Sequence, residues 1–315
     1  MEIHRSLDNF TPLSNSVLTI GSYDGIHRGH FHIINRLLSI ANSTKTKSVV
    51  ITFNPHPRHV INVKNDKIKL LMSLDRKIEI FKRLDIDTLI ILEFNKDFMK
   101  IKAEDFMNNI LIKYFNPNYI VAGSNHYFGY NRDGDSHFLM RFCEENKIGL
   151  EIVDPIIDGK TTISSTNIRK LIKRGYVRRA NYELGSIYGF SAKVIHGSGR
   201  GRGLNFPTAN LRPLEKNQLL PRNGVYFTMC IINGLNHYGM CNFGTRPTFE
   251  EDELVLEVHL FNGYSENLYD CNIWIEFLER IRSEKKFSSV KKLTEQLKID
   301  RSKCLLLKDK YELGE

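Results

Sequence analysis

Val17-Leu18-Thr19-Ile20-Gly21-Ser22-Tyr23-Asp24-Gly25-Ile26-His27-Arg28-Gly29-His30 decides the fold of the first half of the chain. A short apolar run stops at Gly21. From about Gly29 onward Ile33, Ile34, Leu37, Leu38 and Ala41 recur at helical spacing, so the segment reads as strand, loop and helix. In an open parallel sheet such a loop lies at the carboxyl end of its strand, where ligands bind. Gly21 and Gly25 permit a sharp turn, and Gly29 lets a ligand approach the backbone closely. The helix start offers unpaired N–H groups and a partial positive charge, which suits phosphate. His27 and His30 fall on one side of that start and can donate hydrogen bonds to oxygens gaining negative charge in phosphoryl or nucleotidyl transfer. Either histidine alone reads as a surface residue, but the whole string directly after a strand does not.

Outward from this stretch the pattern repeats. Val49–Phe53, Thr88–Leu92, Tyr119–Ala122 and Leu150–Val153 read as strands, alternating with helices marked by Leu74, Ile78, Phe81 and Leu84, by Phe106, Ile110, Leu111 and Tyr114, and by Phe138, Leu139 and Phe142. Strands apolar on both faces between amphipathic helices imply a parallel, doubly covered, Rossmann-like α/β sheet. Three further polar segments fall at the same sheet edge: Pro55-His56-Pro57, whose prolines exclude helix and central strand; Gly123–Gly129; and Ser164-Ser165-Thr166-Asn167-Ile168-Arg169. The last of these sets hydroxyls and N–H groups at a helix start with an arginine one turn in. Ser165 alone would read as a plain N-cap. Gly159-Lys160-Thr161 mimics the end of a P-loop, but Asp154-Pro155 stands where the first glycine is needed.

Beyond the helix Asn167–Gly175 the texture changes. Ala192–His196, Val225–Ile232, Leu235–Asn242, Leu254–Phe261 and Asn272–Glu279 read as strands with no long helix between them, Asn233-Gly234 signals a tight hairpin, and Val290, Leu293 and Leu297 mark a closing helix. A small antiparallel barrel or sandwich is expected. The boundary is placed between Glu183 and Tyr188, giving domains 1–184 and 185–315. After the first strand of this half comes His196-Gly197-Ser198-Gly199-Arg200-Gly201-Arg202-Gly203-Leu204-Asn205-Phe206-Pro207-Thr208-Ala209-Asn210, a basic flexible loop running into a rigid polar tip. Arginine–glycine segments that bind nucleic acid are usually long and repeated; one short loop between strands favours a flap over nucleotide phosphates. Thr208 and Asn210 offer hard oxygen ligands appropriate to Mg²⁺. Glu257 and His259 alternate to the face opposite Leu254, Leu256, Val258 and Leu260, where pattern alone reads Glu257 as an ordinary solvent-face carboxylate.

The 315 residues carry a net charge of +9, which favours anionic partners without choosing among them. The 5 cysteines are scattered and odd in number, so reduced, mostly buried thiols are expected rather than a disulfide framework or zinc site. No apolar run approaches the ~18 residues of a membrane helix, and the N-terminus lacks a signal pattern; a cytoplasmic protein without membrane or nucleic-acid partners, monomeric or a weak homo-oligomer, is the expectation.

The string G-x-[FY]-D-G-x-H-x-G-H with S-S-T-x-I-R downstream resembles the HIGH-type nucleotidyltransferases, and with T-F-x-P-H-P at Thr52–Pro57 it is similar to the adenylyltransferase half of bacterial bifunctional riboflavin kinase/FAD synthetases. G-x-G-R-G-R-x-L-x-F-P-T-A-N, then Asn223–Tyr226, then L-E-V-H-L-F resembles the riboflavin kinase half, in that family a six-stranded barrel. The resemblance implies that Gly21, Tyr23, Asp24, Gly25, Gly29, Asn125, Ser164, Ser165 and Thr166 bind nucleotide in the first half, and Gly199, Arg200, Gly201 and Arg202 in the second. It further implies that His27, His30 and Arg169 stabilise adenylyl transfer; that Pro55, His56, Pro57, Phe128, Arg282 and Phe287 contact flavin; that Thr208 and Asn210 bind Mg²⁺ with ATP; and that Glu257 is the general base. Riboflavin, FMN and ATP would be the small molecules handled. The chain departs from the family pattern at Tyr23, where Phe is usual, at Asn125-His126, at Asn205 and at Ser186-Ile187. The alternative is a riboflavin kinase with a silent first domain.

Overall fold

The computed structural model describes residues 1–61, 68–197, 206–247, 252–262 and 268–313, with 245–247 and 252–254 as backbone alone. Strands β1 (Glu2–His4), β2 (Ser16–Ile20), β3 (Lys47–Asn54), β4 (Thr88–Glu93), β5 (Pro117–Gly123) and β6 (Gly149–Val153) form one sheet in the order β1-β4-β3-β2-β5-β6. Every pairing in it is parallel.

Strand periodicity explains why both faces are covered. Leu18, Val49, Ile51, Ile90, Leu92, Ile120 and Ala122 enter one core, while Val17, Val50, Leu89, Ile91 and Val121 enter the other. Helices α1 (Arg28–Thr44) and α3 (Leu74–Arg83) cover the second core through Ile34, Leu37, Ala41, Ile78 and Phe81. The first is covered by α4 (Ala103–Phe106), a π-helical turn (Met107–Ile112) and α5 (Lys113–Phe115), together with α6 (Ser136–Glu145). The order of strand succession reverses at β2, whose neighbours are β3 and β5, so the loops leaving β2 and β5 flank the switch point where open sheets bind ligands.

Two local readings change. The second proline does not exclude a helix: α2 (Pro57–Ile61) starts on Pro57, because at the first helical position the missing N–H would be unpaired anyway. The sheet also gains β1 at its edge, three residues long and too short to show a period. Strands β7 (Ile157–Asp158) and β8 (Thr161–Thr162) form a small hairpin around Gly159, whose φ of 61° marks a tight turn rather than a phosphate cradle.

The chain divides into compact units Met1–Ser165 and Thr166–Glu315. Helices α7 (Ser165–Arg174) and α8 (Val177–Leu184) lead into the barrel, and Asn181 ties α8 to it: its amide donates to the Phe277 carbonyl at 2.9 Å and accepts from the Tyr188 N–H at 2.8 Å. Strands β9 (Gly189–Ile195), β10 (Ala209–Pro213), β11 (Gly224–Ile232), β12 (Leu235–Pro247), β13 (Asp252–Leu260) and β14 (Asn272–Arg282) close in the order β10-β13-β12-β11-β14-β9. Asn233 and Gly234, at φ 50° and 80°, make the expected hairpin turn. Ala209 and Asn210, read from sequence as the end of a rigid polar tip, open the strand that completes the barrel, pairing with both β9 and β13.

Helix α9 (Val290–Leu313) lies on the barrel's outside, with Leu297, Cys304, Leu307 and Tyr311 against Val225, Phe227 and Met240. It is pinned by Asp300, fully buried, which accepts from Arg282 Nε and Nη2, both at 2.8 Å, and from the Gln296 amide at 2.9 Å. Breaking a buried pair leaves a guanidinium without its counter-charge. Asp300→Ala is therefore expected to destabilise the barrel by about 3 kcal/mol, read as a lower urea midpoint for the full chain.

Candidate active sites

The loop after β2 is shaped from beneath. The Asp24 carboxylate, 2% exposed, faces away from solvent and accepts from the N–H groups of Leu71 at 3.0 and 3.2 Å and of Met72 at 3.2 Å, while its backbone carbonyl accepts from Ser165 Oγ at 2.8 Å. Gly25, at φ 64°, packs so tightly that a Cβ would sit 2.6 Å from Leu71. Tyr23 occupies the left-handed region at φ 45°, held by a 2.8 Å hydrogen bond to Thr19 and by edge contacts with His30 and Phe81. The Tyr23 hydroxyl thus has a buried partner. Lys77 of α3 reaches under the same loop, its Nζ donating to the Ser22 carbonyl at 2.6 Å and to Thr52 at 3.3 Å; burial brings its pKa down to about 8, against the pull of Asp24.

His27 is the N-cap of α1. Its Nδ1 accepts from the His30 N–H at 3.3 Å, and His30 Nδ1 accepts from the His27 N–H at 3.4 Å, a reciprocal capping box built from two imidazoles. Since both Nδ1 atoms accept, the neutral rings carry their protons on Nε2. The rings stack at 3.7 Å. Burial first, and His27 second, hold the pKa of His30 well below the usual histidine value, so it is neutral at pH 7.

These groups form one end of a cavity of about 510 Å³. Gly21, Ser22, His27, Gly29, His30 and Ser164 line the polar end; Phe53, Phe94, Phe98, Phe106 and Phe128 supply flat apolar walls. His56, Pro57 and Asn125 also line it, whereas Asp24, Gly25 and Pro55 do not. His126 stacks on Phe128 at 5.6 Å, and burial lowers its pKa to about 4. Thr166 and Arg169, the latter buried, fall in the second unit with α7.

In the barrel, pairing register assembles the second site. Asn210 stands opposite Glu257, Glu257 opposite Asn242, Asn242 opposite Val225 and Val225 opposite Arg282. Directly paired residues share a face, so Asn210, Glu257, Asn242 and Arg282 form one row across five strands. Thr208 immediately precedes β10, and the tip before it is fixed by His259, whose Nδ1 donates to the Pro207 carbonyl at 2.9 Å while its ring packs on Phe206 at 5.1 Å. The Asn210 amide lies over Gly197: a Cβ there would fall 1.9 Å from Asn210 Nδ2. The Thr208 hydroxyl and the Asn210 amide oxygen are hard donors of the kind that Mg²⁺ takes, and the Glu257 carboxylate beside Asn210 is left to accept a proton. Arg282 is committed to Asp300 and lies 5.7 Å from the Phe287 ring, and Glu284 is packed against Gly244. Gly199, Arg200, Gly201 and Arg202 lie outside the described residues.

Residues 10–167 match the family model described as FAD synthetase, and residues 184–307 the one described as riboflavin kinase. A bifunctional riboflavin kinase/FMN adenylyltransferase of Buchnera aphidicola (from Schizaphis graminum) is 36% identical over 95% of this chain and 96% of its own length. The Bacillus subtilis protein of that description is 34% identical over 93% of this chain and 92% of its own.

The chain belongs to the bifunctional riboflavin kinase/FMN adenylyltransferase family.

A solved structure described as a macrolide-efflux protein from Streptococcus pneumoniae shares this family fold, with TM-score 0.86 and 30% identity over 95% of this chain and 97% of that one. Among the described residues here no helix is long and apolar enough to cross a membrane. All five cysteines are free, and burial raises the thiols of Cys143, to about 11, and of Cys230 and Cys304, to about 12.

Sequence reading missed Lys77, His259 and Asn242. Lys77 left a faint trace: it lies three residues from Leu74 and next to Ile78, on the buried stripe of α3. Asn242 and His259 become site residues only through the barrel register.

Two outcomes follow from this geometry. Gly197→Ala displaces the Asn210 amide and is expected to slow riboflavin phosphorylation at least about tenfold, with the fold intact by circular dichroism, because a misplacement of about 1 Å in a positioning group is felt in the rate. His30 and His126 resist protonation when folded but not when unfolded, so the unfolded chain binds more protons below pH 6.5 and stability falls as the pH drops from about 6.5 toward about 4. His126→Phe is expected to flatten that decline in urea midpoints measured between pH 7 and pH 5.

Proposed function

We propose that this chain makes FAD in two ATP-dependent steps, one in each half. In the barrel, Glu257 takes the proton from the terminal ribityl hydroxyl of riboflavin, whose oxygen attacks the γ-phosphorus of ATP and releases ADP, giving FMN. Thr208 and Asn210 would hold Mg²⁺ together with the ATP phosphates; when bound, the ion neutralises phosphate charge. In the α/β half a phosphate oxygen of FMN attacks the α-phosphorus of a second ATP and pyrophosphate leaves. His27 and His30 stabilise the charge developing there, while Gly21, Gly29 and Ser164 accommodate phosphate and the phenylalanine walls take the flat ring system. Ser165, Thr166 and Arg169 are assigned to the leaving phosphates, and the domains to 1–184 and 185–315. The enzyme would act in the cytoplasm as a monomer or weak homo-oligomer, without nucleic acid.

What supports both steps over a kinase with a silent partner is the two-ended cavity: polar donors at a helix start and aromatic plates in one enclosure suit a phosphate joined to a flat ring. The test is to incubate the purified chain with riboflavin, ATP and Mg²⁺ and resolve FMN from FAD by chromatography. Glu257→Gln is expected to slow FMN formation by about a hundredfold or more while sparing FMN-to-FAD conversion. His27→Asn, which keeps a good N-cap, is expected to do the reverse with the melting temperature little changed. Either variant slowing both steps in a folded protein overturns the division of labour, and FMN as the sole product of the unmodified chain overturns the second step.

A further inference from the structure

A second cleft, of about 710 Å³, opens in the barrel unit between the start of α8 and the end of β14, and none of Thr208, Asn210 or Glu257 lines it. Arginines 174, 178, 179, 280 and 282 converge on it. Three have carboxylate partners: Arg178 pairs with Glu279 at 3.2 Å, Arg179 with Glu183 at 3.0 Å and Arg282 with Asp300 at 2.8 Å. Arg174 and Arg280 have none among the described residues.

Arg280 is built into place. Its stem threads between Gly175 and Gly224, where a Cβ would come within 2.6 Å of its Cδ and 3.1 Å of its Nε respectively. Its Nη2 donates to the Asn223 carbonyl at 2.7 Å and to Ser283 Oγ at 3.2 Å, the guanidinium also bonds the Tyr226 hydroxyl, and its Nε is shut away from solvent. At the same place α8 begins at Val177 without a side-chain cap, so the positive end of its dipole faces the cleft beside the guanidiniums. Tyr176 and Tyr182, 60% and 52% exposed, line the opening.

We propose that this cleft is a binding site for a phosphate-bearing small molecule, meeting the barrel row only at Arg282, whose guanidinium is held by Asp300. Two uncompensated guanidiniums and a helix N-terminus match the charge of a terminal phosphate, about −1.5 to −2 at pH 7. The forked Arg174 and Arg280 supply donors to its oxygens, and Ser283 completes the set. The volume admits a nucleotide-sized ligand, and the tyrosine rings offer surfaces for a base or ring system carrying that phosphate. The inference does not depend on the two-step reaction.

The test is calorimetric titration of the full chain, with both nucleotide sites first saturated by a β,γ-imido ATP analogue. Inorganic phosphate, pyrophosphate and AMP are titrated separately, and the tightest probe tells free phosphate from a nucleotide's phosphate. Arg174→Glu, at an exposed position that tolerates the change, is expected to weaken that probe at least tenfold while FMN formation from riboflavin and ATP persists. In the unmodified chain the Arg280 Nε–H signal in ¹⁵N-resolved spectra is expected to shift on titration. Coincident isotherms for the unmodified chain and Arg174→Glu with all three probes, or an Arg280 signal that does not move at saturation, overturn the proposal.

Discussion

A carboxylate taken out of water must find donors, and Asp24 finds them in the backbone of Leu71 and Met72. That exchange fixes the path of the loop after β2: with the carboxylate drawn down and Lys77 pulling on the Ser22 carbonyl, the chain turns up into α1 with His27 at its cap. The polar end of the cavity is thus the upper surface of a buried charge arrangement. Asp24, which the family resemblance assigns to nucleotide, lies beneath that end and does not line the cavity.

The barrel solves the same positioning problem differently. Its polar row arises from strand register, with Asn210, Glu257 and Asn242 paired side by side on adjacent strands, and the segment carrying Thr208 held by one imidazole bond to Pro207. Helix α9 locks the far end of the row through Asp300 and Arg282. One half therefore builds its site on loops at strand ends, the other on strand faces, in keeping with how parallel and antiparallel sheets expose side chains.

Much of this was legible in sequence where the physics is local. Runs such as Val49–Phe53 feed two cores at once and so look apolar throughout, and Asn233-Gly234 needs only its own backbone preferences to announce a hairpin. What escaped is non-local. The donors of Asp24 lie 47 and 48 residues away, the partner of Glu257 on β12 is fixed by a register that no single strand encodes, and β10 looks like the tip of a loop until β9 and β13 are there to pair with it. Pro57 misled for another reason: the rule against helical proline holds in helix interiors and lapses at the first turn.

The closing seam of the barrel carries a consequence of its own. Between β10 and β13 the ladder among the described residues has only Ala209 opposite Val258 and Asn210 opposite Glu257, whereas β11 and β12 pair from Gly224–Phe243 through Ile232–Leu235. The stave joint with fewest rungs is the one that brings the amide and the carboxylate together. Thermal breathing of the cylinder would begin there, so heat should silence phosphorylation through local parting of this joint before the molecule as a whole melts.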